Sequence, residues 1–298
     1  YWSGQMMQEF YQELVSGKGP VYLKLNHLQP ETAEHIEDIL HKVERPSRGR
    51  FHERRGTRYA QSMIEMHISE IGFCSGHSAS GVFVDEFART TVPGLYAAGD
   101  MASVPHNYML GAFTNGAIAG EDAMGFADEH DFESFDESAV GIERERVMAP
   151  TKREDGLPPN QIEYKVRRFV NDYLQPPKVT AKYEIAQRRF AEIREDAENQ
   201  MVVRDAHELM RAAEVWSILD CADMAAFASL YRTESRWGLY HMRADYPERD
   251  EENWRCHVLL SKKDGAMTCE KRDIAPYIVP ISDEEMGAYY RQRITATA

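Results

Sequence analysis

Residues 90–124 read TTVPGLYAAGDMASVPHNYMLGAFTNGAIAGEDAM, and this stretch decides how the rest of the chain is understood. Val92-Pro93-Gly94 is a turn, because proline fixes φ and glycine takes conformations closed to other residues. Leu95-Tyr96-Ala97-Ala98 is a short apolar run, the composition of a strand buried on both faces. Gly99-Asp100 ends it, setting a residue without a side chain beside a carboxylate. Further on, Gly111-Ala112-Phe113-Thr114-Asn115-Gly116 opens a run of small residues, and a helix that packs closely on a sheet is predicted to begin near Ala112. Strand, Gly-Asp, loop and helix start can together hold a polar cofactor. The carboxylate accepts hydrogen bonds from hydroxyls, and the helix start offers unpaired N–H groups and a positive dipole end to an electron-rich ring.

GLYAAGD preceded by TTVP resembles the second flavin-binding motif of the succinate dehydrogenase/fumarate reductase flavoprotein family. His77-Ser78-Ala79-Ser80-Gly81-Val82 upstream and His106 downstream are similar to the branch that includes the adenylylsulfate reductase α subunit. The resemblance implies FAD as cofactor. It places Asp100 against the ribityl chain, with Gly99 permitting close approach. It sets Gly111 and Ala112 at the helix start facing the pyrimidine side of the ring, and Thr114 and Asn115 where main chain or hydroxyl meets the flavin. His77 and His106 match family histidines beside the substrate, and a histidine can donate a hydrogen bond or carry charge to an anion near neutral pH. Without the family, Asp100 reads as a capping or turn carboxylate and His77 as a structural loop residue.

With 298 residues, 43% of them hydrophobic, the chain can build two domains or one with a large appendage. Its formal charge of −14 argues against general binding to nucleic acid or an anionic membrane. Cys74, Cys221, Cys256 and Cys269 form no CxxC pair, so neither a structural zinc nor a cluster held by this chain is expected. No apolar run is long enough to span a bilayer, and a cytoplasmic protein with reduced thiols is the expectation. The chain opens at Tyr1 and holds no G-x-G-x-x-G after a strand. It is expected to be the C-terminal half of a longer flavoprotein, or the partner of a separate N-terminal half of the FAD domain.

In chain order, residues 2–15 carry an apolar helical stripe ended by Gly17, and Val21-Tyr22-Leu23-Lys24-Leu25 is a strand. A helix from Pro30 to about Glu44 turns Ile36, Ile39, Leu40 and Val43 inward. These elements are similar to the end of the family's capping domain, residues 1–59. Residues 45–58 hold six arginines and, with their proline and glycines, are expected to be a loop. That loop is a solvated surface, a funnel for an anionic substrate or a docking surface for an acidic partner. Ile64–Ile68 and Val82–Asp85 alternate as strands, and residues 60–127 resemble the second half of an FAD-binding domain. Residues 128–158 form an acidic linker. Three helical patterns at 159–174, 182–199 and 205–232 make a bundle, with Leu209, Ala213, Trp216, Leu219 and Ala226 on one side of the last and Met224, Phe227, Leu230 and Tyr231 extending it. Residues 255–298 form an extension with two short strands about Gly265. The expected class is therefore α+β or α/β: the C-terminal half of a Rossmann-like FAD-binding domain with part of a capping domain, then a helical bundle and a β-rich tail.

Two departures bear on substrate. Members acting on C4-dicarboxylates carry a clamping arginine in an N-R-L-G setting, where this chain has Met109 in Asn107-Tyr108-Met109-Leu110-Gly111. A methionine forms no ion pair with a carboxylate. The family's H-x-x-M-G-G likewise becomes His77 to Val82. The expected function is an adenylylsulfate-reductase-like FAD oxidoreductase that passes electrons between a ferredoxin-like iron–sulfur subunit and an anionic small molecule. Alternatives are a fumarate reductase or succinate dehydrogenase acting on a dicarboxylate, and a non-catalytic module that docks a redox partner.

Overall fold

The computed structural model describes residues 2–66, 80–104, 108–131, 135–236 and 241–274. Helix α1 (Trp2–Val15) ends where Gly17 takes φ +78°, and β1 (Val21–Lys24) follows. Pro30 occupies the first turn of α2 (Pro30–Asp38), its fixed φ suiting a position whose N–H has no partner. The helix then widens into a π turn over Ile39–Glu44. The inward face is already set before that turn. Ala33 and Glu37 are the buried positions of α2, Ile39 is exposed and Val43 is 76% exposed, so the expected inward face is corrected. Residues 45–58 are not a plain loop. Pro46 starts α3 (Pro46–Glu53), because a proline at the first helical position initiates as readily as it interrupts elsewhere. β2 (Met63–Met66) pairs antiparallel with β1, Leu23 opposite Ile64.

The long helix α4 (Tyr108–Glu129) comes next, and α5 (Glu137–Met148) lies inside the stretch expected to be linker. Asp136 caps α5 by accepting from the Ser138 N–H at 2.9 Å, which explains how an acidic segment with little apolar patterning becomes helical.

A hydrophobic core of the described residues lies among α6 (Pro159–Phe169, prolonged by a π turn to Leu174), α7 (Thr180–Gln200) and α8 (Ala206–Tyr231). Each start has its own device. Pro159 opens α6, Asp245 accepts from the Thr180 N–H at 2.9 Å, and Asp205 accepts from the Glu208 N–H at 2.8 Å. Ile162, Val166, Tyr183, Phe190, Val215 and Leu219 are almost wholly buried between them. Each such aliphatic or aromatic side chain stabilises the bundle by roughly 1.5–3 kcal/mol. The buried stripe of α8 is Ala212, Val215, Leu219, Ala222 and Ala226, steps of three and four. Ala213, Met224 and Tyr231 are exposed, which corrects the expected face by about one residue. Below the bundle, α9 (Glu251–Trp254) leads to the antiparallel hairpin β3 (Cys256–Lys263) and β4 (Ala266–Asp273). Asp264 and Gly265 turn it at φ +51° and +80°. The expected fold class is the one found. The three bundle helices and the terminal hairpin stand where the sequence put them.

Candidate functional site

The residues around Gly99 form a platform built from hydrogen-bonded turns rather than from a long sheet. Asp85 Oδ1 accepts from the N–H groups of Phe87 and Arg89 at 2.9 Å each, holding Ala88 in the left-handed region at φ +64°. The Thr90 N–H donates to Leu95 O at 2.9 Å and the Ala97 N–H to Ala88 O at 3.1 Å, so the chain doubles back through Gly94. Arg89 and Tyr96 form a single antiparallel bridge. Among the described residues, 95–98 are thus not a strand buried on both faces, since they bond to one described neighbour and Leu95 is 53% exposed. Val82 likewise forms one parallel bridge with Ala102 rather than the expected strand.

At Gly99 the extended chain turns sharply. Its φ of +65° admits a residue without Cβ and starts one turn of 3-10 helix, Gly99–Met101. The Val82 N–H reaches Met101 O at 2.7 Å and the Ser103 N–H reaches Val82 O at 2.9 Å, clamping the turn from below. A Cβ on Gly99 would stand 3.4 Å from the Ala112 Cβ, so the turn rests against the first turns of α4. Asp100 is exposed on this turn.

α4 begins by Tyr108, earlier than the predicted start near Ala112. Gly111 is buried and Ala112 half-buried, while Thr114 and Asn115 lie in the second turn, where helix N–H groups are already bonded. Asn115 Nδ2 donates back to Gly111 O at 2.8 Å. The N–H groups left over belong instead to the first turn, from Tyr108 to Gly111. Met101, Met109, Leu110 and Phe113 are each about two-thirds exposed or more around this end. His77 and His106 lie outside the described residues.

What fixes α4 to the platform was not anticipated from the sequence. Arg89 donates through Nε to Asp122 Oδ2 at 2.6 Å and through Nη2 to Oδ1, and the Tyr96 hydroxyl donates to Asp122 Oδ2 at 2.7 Å. Hydrogen bonds from Arg89 and Tyr96 hold the Asp122 carboxyl below its ordinary pKa, and the bond to Asp122 raises that of Tyr96. The only cue was a carboxylate set among the small residues of α4; its partners are more than twenty positions away. Among the described residues no group of three or more His, Cys, Asp and Glu is arranged to hold a metal ion, and no helix is long and apolar enough to cross a membrane.

Comparison with known proteins agrees with this architecture. Residues 164–286 match the family model described as fumarate reductase flavoprotein C-term. An uncharacterized FAD-dependent oxidoreductase of Methanocaldococcus jannaschii is 26% identical over 279 residues, covering 90% of this chain and 48% of that protein. The fumarate reductase flavoprotein subunit of Mycobacterium tuberculosis is 29% identical over 210 residues, 63% of this chain and 35% of that subunit. The adenylylsulfate reductase structure from Archaeoglobus fulgidus superposes with a TM-score of 0.76 at 21% identity, over 94% of this chain and 51% of that one. The chain spans about half or less of the length of these relatives. Family match, curated relatives and fold converge: the chain resembles the C-terminal portion of succinate dehydrogenase/fumarate reductase flavoproteins.

Proposed function

We propose that this chain supplies the C-terminal wall of the FAD site in an adenylylsulfate-reductase-like oxidoreductase, which exchanges electrons between an iron–sulfur subunit and an anionic small molecule. The observation that carries the reading is the Gly99 turn seated on Ala112, with Asp100 exposed beside it and Met109, Leu110 and Phe113 exposed in the first turns of α4. A polyol chain fits along such a turn because no Cβ at position 99 stands in its way. Asp100 would accept its hydroxyl hydrogen bonds, and the first-turn N–H groups of α4 would face the ring where reduction adds negative charge. Gly111 and Ala112 let the helix approach; Thr114 and Asn115 act through their side chains. Bound FAD would supply the electron transfer itself. His77 and His106 are proposed to hold the oxyanion of the substrate. The exposed apolar group of Met101, Met109, Leu110 and Phe113 is the surface on which the ring and the N-terminal half of the FAD domain would lie.

The domain assignment follows the same reading. Residues 1–59 would close the capping domain, 60–127 complete the FAD domain, and 159–254 form the helical domain, with 128–158 joining them through α5 and 255–298 as a C-terminal extension. Cytoplasmic location accompanies the proposal. Met109, in the place of a carboxylate-clamping arginine, favours the sulfonucleotide reading over a C4-dicarboxylate.

The test is the visible absorption spectrum of the chain with an N-terminal half of the FAD domain restored. A flavin band that vanishes in Asp100→Ala, while folding is unchanged, supports the reading. Absence of flavin from the restored protein overturns it and leaves a non-catalytic docking module. Turnover of fumarate without turnover of adenylylsulfate would move the assignment to the dicarboxylate enzymes.

A further inference from the structure

Six arginines fall within residues 45–58 of a chain whose formal charge is −14. All six are exposed. Arg58 lies 3.4 Å from Glu37, and Arg48 hydrogen-bonds the Tyr59 side chain. Arg45, Arg50 and Arg54 have no carboxylate within ion-pair distance among the described residues, although acids outnumber bases in the chain. Phe51 stands among them half exposed, with the Arg55 guanidinium 3.7 Å from its ring centre.

This helix is rigidly mounted. Gly49 and His52 turn inward, and a Cβ on Gly49 would be 2.6 Å from the His41 Cβ, so the backbone of α3 sits directly on the end of the preceding helix. Beneath it, buried Glu37 accepts from the Tyr59 N–H at 2.8 Å, and the Tyr59 hydroxyl lies 3.2 Å from His41 Nε2. At 100° per residue, the face opposite Gly49 and His52 presents Arg50, Phe51, Arg54 and Arg55. Guanidinium forks pair with carboxylates in bidentate fashion, and arginine with aromatic residues is the composition enriched at protein interfaces.

We infer that the outer face of α3 docks an acidic segment of a partner protein, its carboxylates received by Arg50 and Arg54 and an apolar side chain by Phe51. Arg50 and Arg54 stand about one helical turn apart on an exposed face, which suits an extended acidic segment better than a small anion. Nucleic acid is disfavoured because the remainder of the chain is more acidic still and would repel a long polyanion. The inference is independent of the flavin reading and survives its failure.

The probe is a fluorescein-labelled peptide with glutamates on either side of one phenylalanine, titrated with the full chain and followed by anisotropy. Binding should weaken as salt rises. The double variant Arg50→Glu/Arg54→Glu should bind about tenfold or more weakly, and Phe51→Ala about threefold, with thermal unfolding unchanged because these side chains are exposed. No binding by the unaltered chain overturns the inference. So does equal binding of an oligothymidylate that ignores Phe51→Ala, which marks a general polyanion surface. Self-association in sedimentation that is lost in the double variant also overturns it, by assigning the face to a second copy.

Discussion

Gly81 lies against the main chain of Met101, so close that a Cβ on Gly81 would stand 2.3 Å from the Met101 carbonyl oxygen. Backbone atoms cannot yield to that approach as a flexible side chain would. Gly81→Ala is therefore expected to break the hydrogen bond from the Val82 N–H to Met101 O and to cost about 1–3 kcal/mol, the usual range for forcing extra volume into a filled site. Chemical denaturation gives the cost, and amide exchange at Val82 and Ser103 locates it. Unchanged exchange at both amides would show that the Gly99 turn is held by something other than this clamp.

The parts of this fold that the sequence made legible are those set by local chemistry. Apolar spacing marked α6, α7 and α8, and Gly265 marked the β3–β4 turn. The parts that escaped are set by long-range contacts. No local pattern could link Arg89 to Asp122, and the face holding Ala33 and Glu37 is turned inward by distant partners such as Tyr59, whose N–H donates to Glu37. Asp100 and Gly99 could be singled out because a Gly-Asp end to an apolar run has local meaning. The placement of Ala112 against Gly99 had to come from the structure.

Arg89, Tyr96 and Asp122 join α4 to the hairpin that carries Gly99. Tyr96 donates to Asp122, so losing its proton would set two negative oxygens side by side, and this raises its pKa. In an alkaline absorbance titration Tyr96 is expected to ionise later than ordinary tyrosines, whose value is about 10. Asp122→Asn should bring it back toward them and loosen α4, seen as faster amide exchange at the Tyr96 end of the hairpin. A titration unaltered by the substitution would remove Asp122 as the cause.

Buried nitrogen bases give the bundle a defined response to pH. Burial, reinforced by nearby Arg243, lowers Lys178 to about 8, and burial with the charges of Lys178 and Arg232 lowers His241 to about 3. In both, the folded value lies below the unfolded one, so the unfolded chain binds more protons and stability rises with pH across each interval. For Lys178 the rise runs from about pH 8 to the unfolded value near 10.5. For His241, stability is lost as pH falls from about 6.5 toward 3. Lys178→Met is expected to abolish the alkaline slope and to raise stability at neutral pH by on the order of 2–4 kcal/mol, since one pKa unit corresponds to about 1.4 kcal/mol. Urea denaturation across pH tests both, and an unchanged alkaline slope in Lys178→Met would refute the assignment.

Glu234 is wholly buried at the junction between α8 and the terminal hairpin, and it is held from two sides. Arg232 Nη1 donates to it at 2.6 Å, Arg236 donates through Nε at 2.6 Å and Nη2 at 3.0 Å, and the Asp250 N–H donates at 3.0 Å. Arg232 also reaches Trp254 O and Cys256 O at 2.8 and 2.7 Å, so one guanidinium ties the end of α8 to the start of β3. Removing the carboxylate leaves two largely buried cations facing each other, and breaking such a set costs about 3–5 kcal/mol. Glu234→Ala is expected to fall in that range, with the hairpin detaching before the bundle melts. Glu234→Gln keeps the acceptor oxygen and the shape while removing the charge, and should cost less. Trp254 fluorescence reports the junction and far-ultraviolet circular dichroism reports the helices. Coincident transitions at both probes in Glu234→Ala would mean that the hairpin and the bundle unfold as one unit, with Glu234 acting on the whole rather than on the joint.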